Sequence, residues 1–290
     1  MGSCPIPRGQ VPRLSHAYDP RVTRGVAPVL CYHAVSPGWP EHGCVPPEAL
    51  ERQLAHLLRQ GYRPATFTQA VLAPPHRRTL AVTFDDAYRS VHERARPVLD
   101  ALGVHATVFA PTRWVGSQEP MTLAARDWRG TAHEDELRCM SWDELGELAA
   151  AGWEIGSHTV SHPMLTRLEG DTALRAELSD SRAAIEEALG GSCRSLAYPY
   201  GDYDERVAGA AADAGYVAAG TLFPGLLGSA PPLQWPRVAI SHHHGPRAFR
   251  LKVSRPVRRL RAVPMPRAVA RAAYRFRQVD VPRRPGSAAR

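Results

Sequence analysis

The chain has 290 residues, 44% of them apolar, and a formal net charge of +8. This length and composition allow one large α/β domain or two ordinary ones, and they exclude disorder throughout, a collagen-like fold and a disulfide-stapled mini-protein. No run approaches the roughly 20 consecutive apolar residues that cross a bilayer.

The charge is unevenly distributed along the chain. Residues 247–290 hold 14 of the 36 Lys and Arg residues and a single acid, Asp280, so this tail carries +13; the residues before it, with 22 basic and 27 acidic side chains, carry −5. The basic character therefore belongs to the tail and not to the body of the protein. The five cysteines are odd in number and form no CxxC pair, which argues against a disulfide framework and against a Cys-ligated zinc site.

Short apolar runs alternate with segments of helical period after residue 25. Residues 1–25 are rich in Pro and Arg without periodicity, and we expect them to form an arm on the protein surface. The apolar runs predict buried strands at 27–35, 79–84, 105–110, 153–157, 195–198, 216–222 and 237–241. The segments between them predict helices, each ending before a glycine, at 47–60, 90–102, 141–151, 171–189 and 204–214.

This alternation predicts parallel strands joined by helical crossovers. We predict an α/β protein with a distorted (β/α)7 barrel: one catalytic domain at residues 26–246, an N-terminal arm at 1–25 and a basic C-terminal tail at 247–290. An open dinucleotide-binding sheet is disfavoured because no GxGxxG follows the first strand. We expect the long polar connection at 112–140 to cover a site at the carboxyl ends of the strands.

Polar side chains follow several of the predicted strands. They are Asp85 and Asp86 after TLAVTF, His158 and His162 in HTVSHP, YPYG at 198–201, His33 after VLCY, and Arg237 in the last strand. Taken singly, each has a structural interpretation, since an Asp-Asp pair can cap a helix and a His beside Ser or Thr can simply be hydrogen-bonded. Two His four residues apart, together with a carboxylate, are the ligand types of a catalytic zinc site.

In this order, TFDD (83–86), HTVSH (158–162) and YPYG (198–201) resemble the first three motifs of the polysaccharide deacetylase family, the NodB-homology domain of carbohydrate esterase family four. The resemblance spans about residues 27–241, the body of the predicted 26–246 domain. It implies a distorted (β/α) barrel, a divalent metal that is usually zinc, and hydrolysis of an N-acetyl, sometimes an O-acetyl, group of a sugar.

The family's roles carry over by position. Asp86, His158 and His162 match the metal ligands, Asp85 matches the general base, and the backbone N–H of Tyr200 matches the oxyanion donor. This division is physically reasonable because a carboxylate bound to a cation stays ionised, while its neighbour is free to accept a proton from the attacking water.

Two departures from the family pattern concern the base and the acid. The Arg that usually stands two residues before the Pro of the third motif is replaced by Ala197, and the Leu-x-His that supplies the acid has no clean copy. The pattern is similar to the permuted subgroup that includes the poly-N-acetylglucosamine deacetylases, in which a Tyr-His near the N-terminus supplies the acid. The resulting assignments are His33 as the acid, Arg237 as the group that orients Asp85, and His242 as the alternative acid.

The sequence thus predicts a metal-dependent deacetylase that hydrolyses the N-acetyl group of an amino-sugar glycan or glycoconjugate, with an acetylated carbohydrate as its substrate. Two alternatives stay open: an amidohydrolase of the same fold acting on a non-sugar amide, and a catalytically silent carbohydrate-binding relative. The intact Asp-Asp-His-His set counts against silence. The sequence does not name the glycan or the oligomeric state.

The two ends of the chain bear on its location. The N-terminus lacks the apolar segment of a secretory signal, so we expect a cytoplasmic protein. Residues 264–277 predict a basic helix with Arg267, Arg271 and Arg275 spaced four apart, which favours contact with the inner face of a membrane, a solvated tail being the alternative. Nucleic-acid binding is disfavoured because the tail lacks a platform of stacking aromatic residues.

Overall fold

The computed structural model describes residues 27–72, 78–122, 127–222, 230–254 and 256–257. The strands are β1 (Val29–Tyr32), β2 (Arg63–Ala65), β3 (Thr79–Phe84), β4 (Thr107–Ala110), β5 (Glu154–Ser157), β6 (Ser195–Ala197), β7 (Ala218–Thr221), β8 (Trp235–Pro236) and β9 (Val238–Ala239). The helices are α1 (Pro47–Arg59), α2 (Phe67–Leu72), α3 (Arg96–Ala101), α4 (Trp142–Ala150), α5 (Asp171–Leu189), α6 (Glu205–Asp213) and α7 (Pro246–Val253).

The strands form one parallel sheet in the order β8-β7-β6-β5-β4-β3-β1-β9, with β2 paired beside the start of β3. The two edge strands of this sheet, β8 and β9, belong to one continuous segment, residues 235–239. Trp235 of β8 pairs with Gly220 of β7, and Val238 of β9 pairs with Leu30 of β1. Arg237 stands between the two pairings and donates its backbone N–H to the carbonyl of Thr221 at 2.8 Å. The sheet is thereby nearly closed, which confirms the predicted distorted (β/α)7 barrel.

Alternation along each strand separates two apolar layers. Leu30, Val82 and Val108 belong to the large core cluster that also contains the buried faces of the helices. Val29 and Phe109, one residue out of phase, belong to a second cluster on the other face of the sheet, which includes Phe67 of α2. The face that carries Val29 continues to Cys31 and His33, so the end of β1 presents these two side chains on the same side as this second cluster.

The boundaries of the five predicted helices hold within one or two residues. The segment predicted as one helix at 90–102 begins as a π-helical turn over Val91–Ala95 before α3. Pro97 explains the wide turn, because proline has no N–H to donate and its ring collides with the carbonyl four residues earlier. The prediction lacks the strands β2 and β8 and the helices α2 and α7. Of these, α2 contributes the buried Phe67, whose backbone N–H donates to Thr107 Oγ1 at 2.8 Å.

The described core extends past residue 246, where the sequence places the end of the domain. Helix α7 buries Phe249 and Val253 in the large core cluster. The predicted basic helix at 264–277 and the N-terminal arm lie outside the described residues. Among the helices that the structure describes, none combines the length and the apolar character needed to span a bilayer.

Candidate active site

The predicted site residues meet at the carboxyl ends of the strands. Asp85 follows β3 and donates its backbone N–H to the carbonyl of Tyr32, the last residue of β1. The backbone is strained in the three motifs and at Ala87, directly after the first. The non-glycine residues with positive φ in the described chain are Asp86, Ala87, Thr159, His162 and Tyr200. Such conformations cost on the order of 1–3 kcal/mol each and are typical of functional sites.

Asp86, His158 and His162 form a buried cluster with metal-ligand geometry. Asp86 Oδ1 lies 3.5 Å from Nε2 of His158 and 3.6 Å from Nε2 of His162. Two ligands of a tetrahedral zinc ion, at their usual bond lengths, are about 3.4 Å apart. Asp86 Oδ1 is also buried without a hydrogen-bond partner among the described residues. The three side chains therefore fit a divalent cation.

The two histidines present the right atoms for such a role. His158 Nδ1 lies 2.8 Å from the carbonyl of Ala197, so it carries the ring proton and leaves Nε2 as the lone-pair atom. Burial lowers the pKa of His158 to about 4 and lowers that of His162 well below its usual range. Both rings are then neutral, which is the form that binds a metal.

The two carboxylates differ in charge environment. Burial, followed by the negative charge of Asp85, raises the pKa of Asp86 well above its ordinary value. Burial also works to raise the pKa of Asp85, but Arg237, aided by His158, outweighs it and holds that pKa well below the usual range. The protein thus neutralises one buried carboxylate with a guanidinium and leaves the other short of positive charge, which a divalent cation would supply.

Arg237 holds Asp85 with both terminal nitrogens. Its Nη1 lies 2.6 Å from Oδ1 of Asp85 and its Nη2 lies 2.8 Å from Oδ2, in a buried bidentate pair. Small residues make room for it: Ala197 pairs with Gly220, and a Cβ on Gly220 would lie 2.6 Å from Arg237 Nε. The structure therefore places Arg237 where the sequence predicts it, beside Asp85.

The two candidate acids lie in different surroundings. His33 is half-buried, and one of its ligand atoms lies within 4.8 Å of the carboxylate of Asp85. Burial lowers its pKa, although Asp85 opposes this shift. His242 is exposed on the loop after β9, and its Nδ1 lies 3.0 Å from the backbone carbonyl of Glu41. Of the two, His33 is the one placed beside the predicted base.

The fourth predicted catalytic position, Tyr200, lies at the same end of the barrel. Its φ of 60° turns the YPYG segment back sharply after β6. Its ring packs edge-on against His162, with the centroids 4.7 Å apart. The motif therefore borders the metal-type cluster directly.

Two residues that contact the site, Cys31 and Glu177, are not predicted from the sequence. Cys31 is fully buried, and its thiol donates to Asp85 Oδ2 at 3.4 Å. Its position two residues before His33, on the same strand face, is the signal that could have identified it. Glu177 of α5 accepts the backbone N–H groups of Val160 and Ser161 at 2.9 Å each and so shapes the HTVSH turn.

The long connection between β4 and α4 borders the site on two sides. Thr112 donates its N–H to the carbonyl of Thr159, and Met140 donates its N–H to the carbonyl of Ala87. The connection also reaches the loop after β1, where the indole N–H of Trp128 donates to the buried carboxylate of Glu41 at 2.7 Å. These contacts place the described parts of the connection beside the site.

A parallel (β/α) barrel with an Asp-Asp-His-His cluster at the carboxyl ends of its strands defines a class of barrel hydrolases. The polysaccharide deacetylase family model matches residues 73–219, and the chain belongs to this family. The chain is 28% identical over 203 residues to YxkH of Bacillus subtilis, which is classed with the polysaccharide deacetylases; the match covers 68% of this chain and 65% of the length of YxkH.

Solved structures show the same fold. The deacetylase PplD of Streptococcus pyogenes, solved in complex with acetate, superposes with a TM-score of 0.66 at 22% identity and covers 79% of this chain and 98% of that one. IcaB of Ammonifex degensii superposes with a TM-score of 0.64 at 25% identity, again covering 79% of this chain and 98% of that one.

Proposed function

We propose that this chain is a metal-dependent deacetylase that hydrolyses the N-acetyl group of an amino-sugar glycan or glycoconjugate. The observation that carries the proposal is the pairing of two carboxylates with different partners: Asp85 held by Arg237, and Asp86 facing two neutral imidazoles. Family membership supports a carbohydrate as the substrate. Zinc is the ion we expect, because two imidazoles and one carboxylate are typical catalytic zinc ligands.

Each residue then has one task. Asp86, His158 and His162 would hold the cation, which would act as a Lewis acid that polarises the acetyl carbonyl and lowers the pKa of the attacking water. Asp85 takes the proton of the attacking water, and Arg237 keeps its carboxylate ionised and aligned.

Tyr200 and His33 act on the acetyl carbonyl oxygen and on the leaving nitrogen, respectively. The backbone N–H of Tyr200 donates to the oxygen as it becomes negative. His33, within reach of Asp85, protonates the nitrogen so that the C–N bond breaks into acetate and a free amine.

The test is release of acetate from N-acetylglucosamine oligomers by the full chain after loading with Zn²⁺, with metal content measured on the same sample. Acetate release that requires the ion, and that disappears in D85N with the ion still bound, supports the proposal. Bound metal with no acetate from any glycan would point to a non-sugar amide, and absence of bound metal would point to a silent carbohydrate-binding protein.

A further inference from the structure

A second set of metal-ligating atoms lies beside the first. Cys31 and His33, from the end of β1, and Asp85, from the end of β3, each offer one ligand atom within 4.8 Å of the other two. Cys31 is fully buried, and Nδ1 of His33 is buried without a hydrogen-bond partner in the described residues. This set shares no residue with the Asp86, His158 and His162 cluster.

The spacing of sulfur and oxygen in this set suits an ion between them. Cys31 Sγ lies 3.4 Å from Asp85 Oδ2, a separation now spanned by the thiol proton. A tetrahedral ion bound at 2.3 Å to sulfur and at about 2.1 Å to oxygen places these two atoms about 3.6 Å apart. An ion can therefore replace the proton with a shift of a few tenths of an ångström. To bind the same ion, the ring of the half-buried His33, whose ligand atom lies within 4.8 Å of the other two, has to move closer.

We propose that Cys31, His33 and Asp85 form an inhibitory site for soft divalent cations, of which Cd²⁺ and excess Zn²⁺ are examples. The S–H bond breaks, a sulfur–metal bond forms, and the proton leaves to solvent without any change of oxidation state. Asp85 and His33 each supply a lone pair. Thiolate ligation selects soft ions over Mg²⁺ or Ca²⁺. An ion here occupies both the base and the acid, so the inhibition rests on the function proposed above.

Charge makes this site weaker than the first. Arg237 remains next to Asp85, and a carboxylate has about four lone-pair positions, of which the guanidinium uses two. The incoming ion therefore takes the direction now used by the thiol, but it is repelled by Arg237 and by any cation at Asp86. We expect one ion to bind first without thiolate and a second to bind only in excess.

The site is tested by Cd²⁺ titration of the full chain already loaded with one equivalent of Zn²⁺. The readouts are the ultraviolet charge-transfer band of a cadmium–thiolate bond, which histidine-bound ions do not give, and the number of ions bound at equilibrium. A C4S background removes Cys4, which lies outside the described residues. C31A is compared with C193A, which changes a second buried cysteine, one whose thiol donates to the backbone carbonyl of Ser195.

We expect the parent and C193A proteins to bind one further ion with the thiolate band, and C31A to show neither. If C31A does not fold, C31S takes its place, because serine keeps the shape and the hydrogen-bonding character of the side chain. We expect C31S to show neither the band nor the further ion. A band of parental size in C31A or C31S, or no band in the parent, would overturn the site. A band that grows without any fall in acetate release would overturn the inhibitory role. The band and the stoichiometry are independent of turnover, so absence of deacetylase activity would count against the proposed function alone.

Discussion

Arg237 and Asp85 form a buried bidentate ion pair across the seam where the barrel closes. The two residues are 152 positions apart in the chain, and their nitrogen–oxygen distances are 2.6 and 2.8 Å. Arg237 reaches Asp85 because it stands between β8 and β9, the segment that joins β7 to β1. The closure of the sheet and the alignment of the proposed base therefore depend on the same five residues of chain.

Replacement of Arg237 tests this coupling. R237A leaves a buried carboxylate unpaired, so we expect a loss of about 3–5 kcal/mol in the free energy of unfolding. Only the weaker influence of His158 and His33 would then oppose burial, so the pKa of Asp85 should rise. We therefore expect kcat/KM of R237A to fall at acidic pH in a range where the parent retains its activity. R237K keeps the charge but not the fork and should fall between the two. Equal stability of R237A and the parent in denaturant titrations would contradict the pairing.

Single replacements of Asp85 and Asp86 test whether one is the base and the other a metal ligand. We expect D85N to lose acetate release by about 10²–10⁴-fold while it retains metal, because it removes a base and not a ligand. D86N should lose the metal itself, as measured by metal analysis after dialysis against a weak chelator. H158A is a matched control for ligand loss. If D85N lost the metal and D86N kept it, the two assignments would be reversed.

The identity of the acid is tested by His33 and His242. H33A should reduce turnover by about 10²–10⁴-fold without change in metal content, because His33 lies next to the proposed base, Asp85. H242A should keep turnover near that of the parent. Near-normal turnover of H33A together with loss in H242A would assign the acid to the loop after β9.

A pH dependence follows from the burial of His33. Its pKa lies below the ordinary value of 6.5, and a nearby cation would lower it further. An acid works only while protonated, so kcat/KM should fall about tenfold per pH unit above a pKa that lies below 6.5. The limb should vanish from the residual activity of H33A. If kcat/KM of H33A fell at the same pH as that of the parent, the fall would be due to the titration of another group.

Prediction from sequence succeeds where the site is built from short motifs. TFDD, HTVSH and YPYG each follow one strand, so their order along the chain places them at one edge of a parallel sheet. The sequence indicates Arg237 indirectly, because Ala197 stands where the family pattern has an arginine. In the structure this departure has a physical reason: Ala197 pairs with Gly220, and the volume next to Gly220 is filled by the Arg237 side chain.

Prediction fails where a contact depends on packing between distant segments. Nothing in the α5 sequence marks Glu177 as the acceptor for the HTVSH turn, because it stands on an ordinary amphipathic helix. From the sequence, Cys31 is only a small buried residue of a strand, because its partner, Asp85, follows a different strand, β3. Helix α2 is six residues long and has too few turns to give a periodic pattern.

Glycine 43 offers a test of how closely His33 is positioned. A Cβ at this residue would lie 2.9 Å from Cγ and 3.0 Å from Nδ1 of His33, closer than real side chains approach. We expect G43A to push the ring away from Asp85 and to reduce kcat by about tenfold or more, with metal content and overall fold unchanged.

The matched control is G38A in the same loop, where an added Cβ meets nothing within 4 Å and the backbone also has no positive φ. G38A should retain parental kcat, so a loss in both variants would indicate a general effect on the loop. If G43A were as active as G38A, the ring of His33 would be free to move without cost, and its role as a fixed proton donor would have to be abandoned.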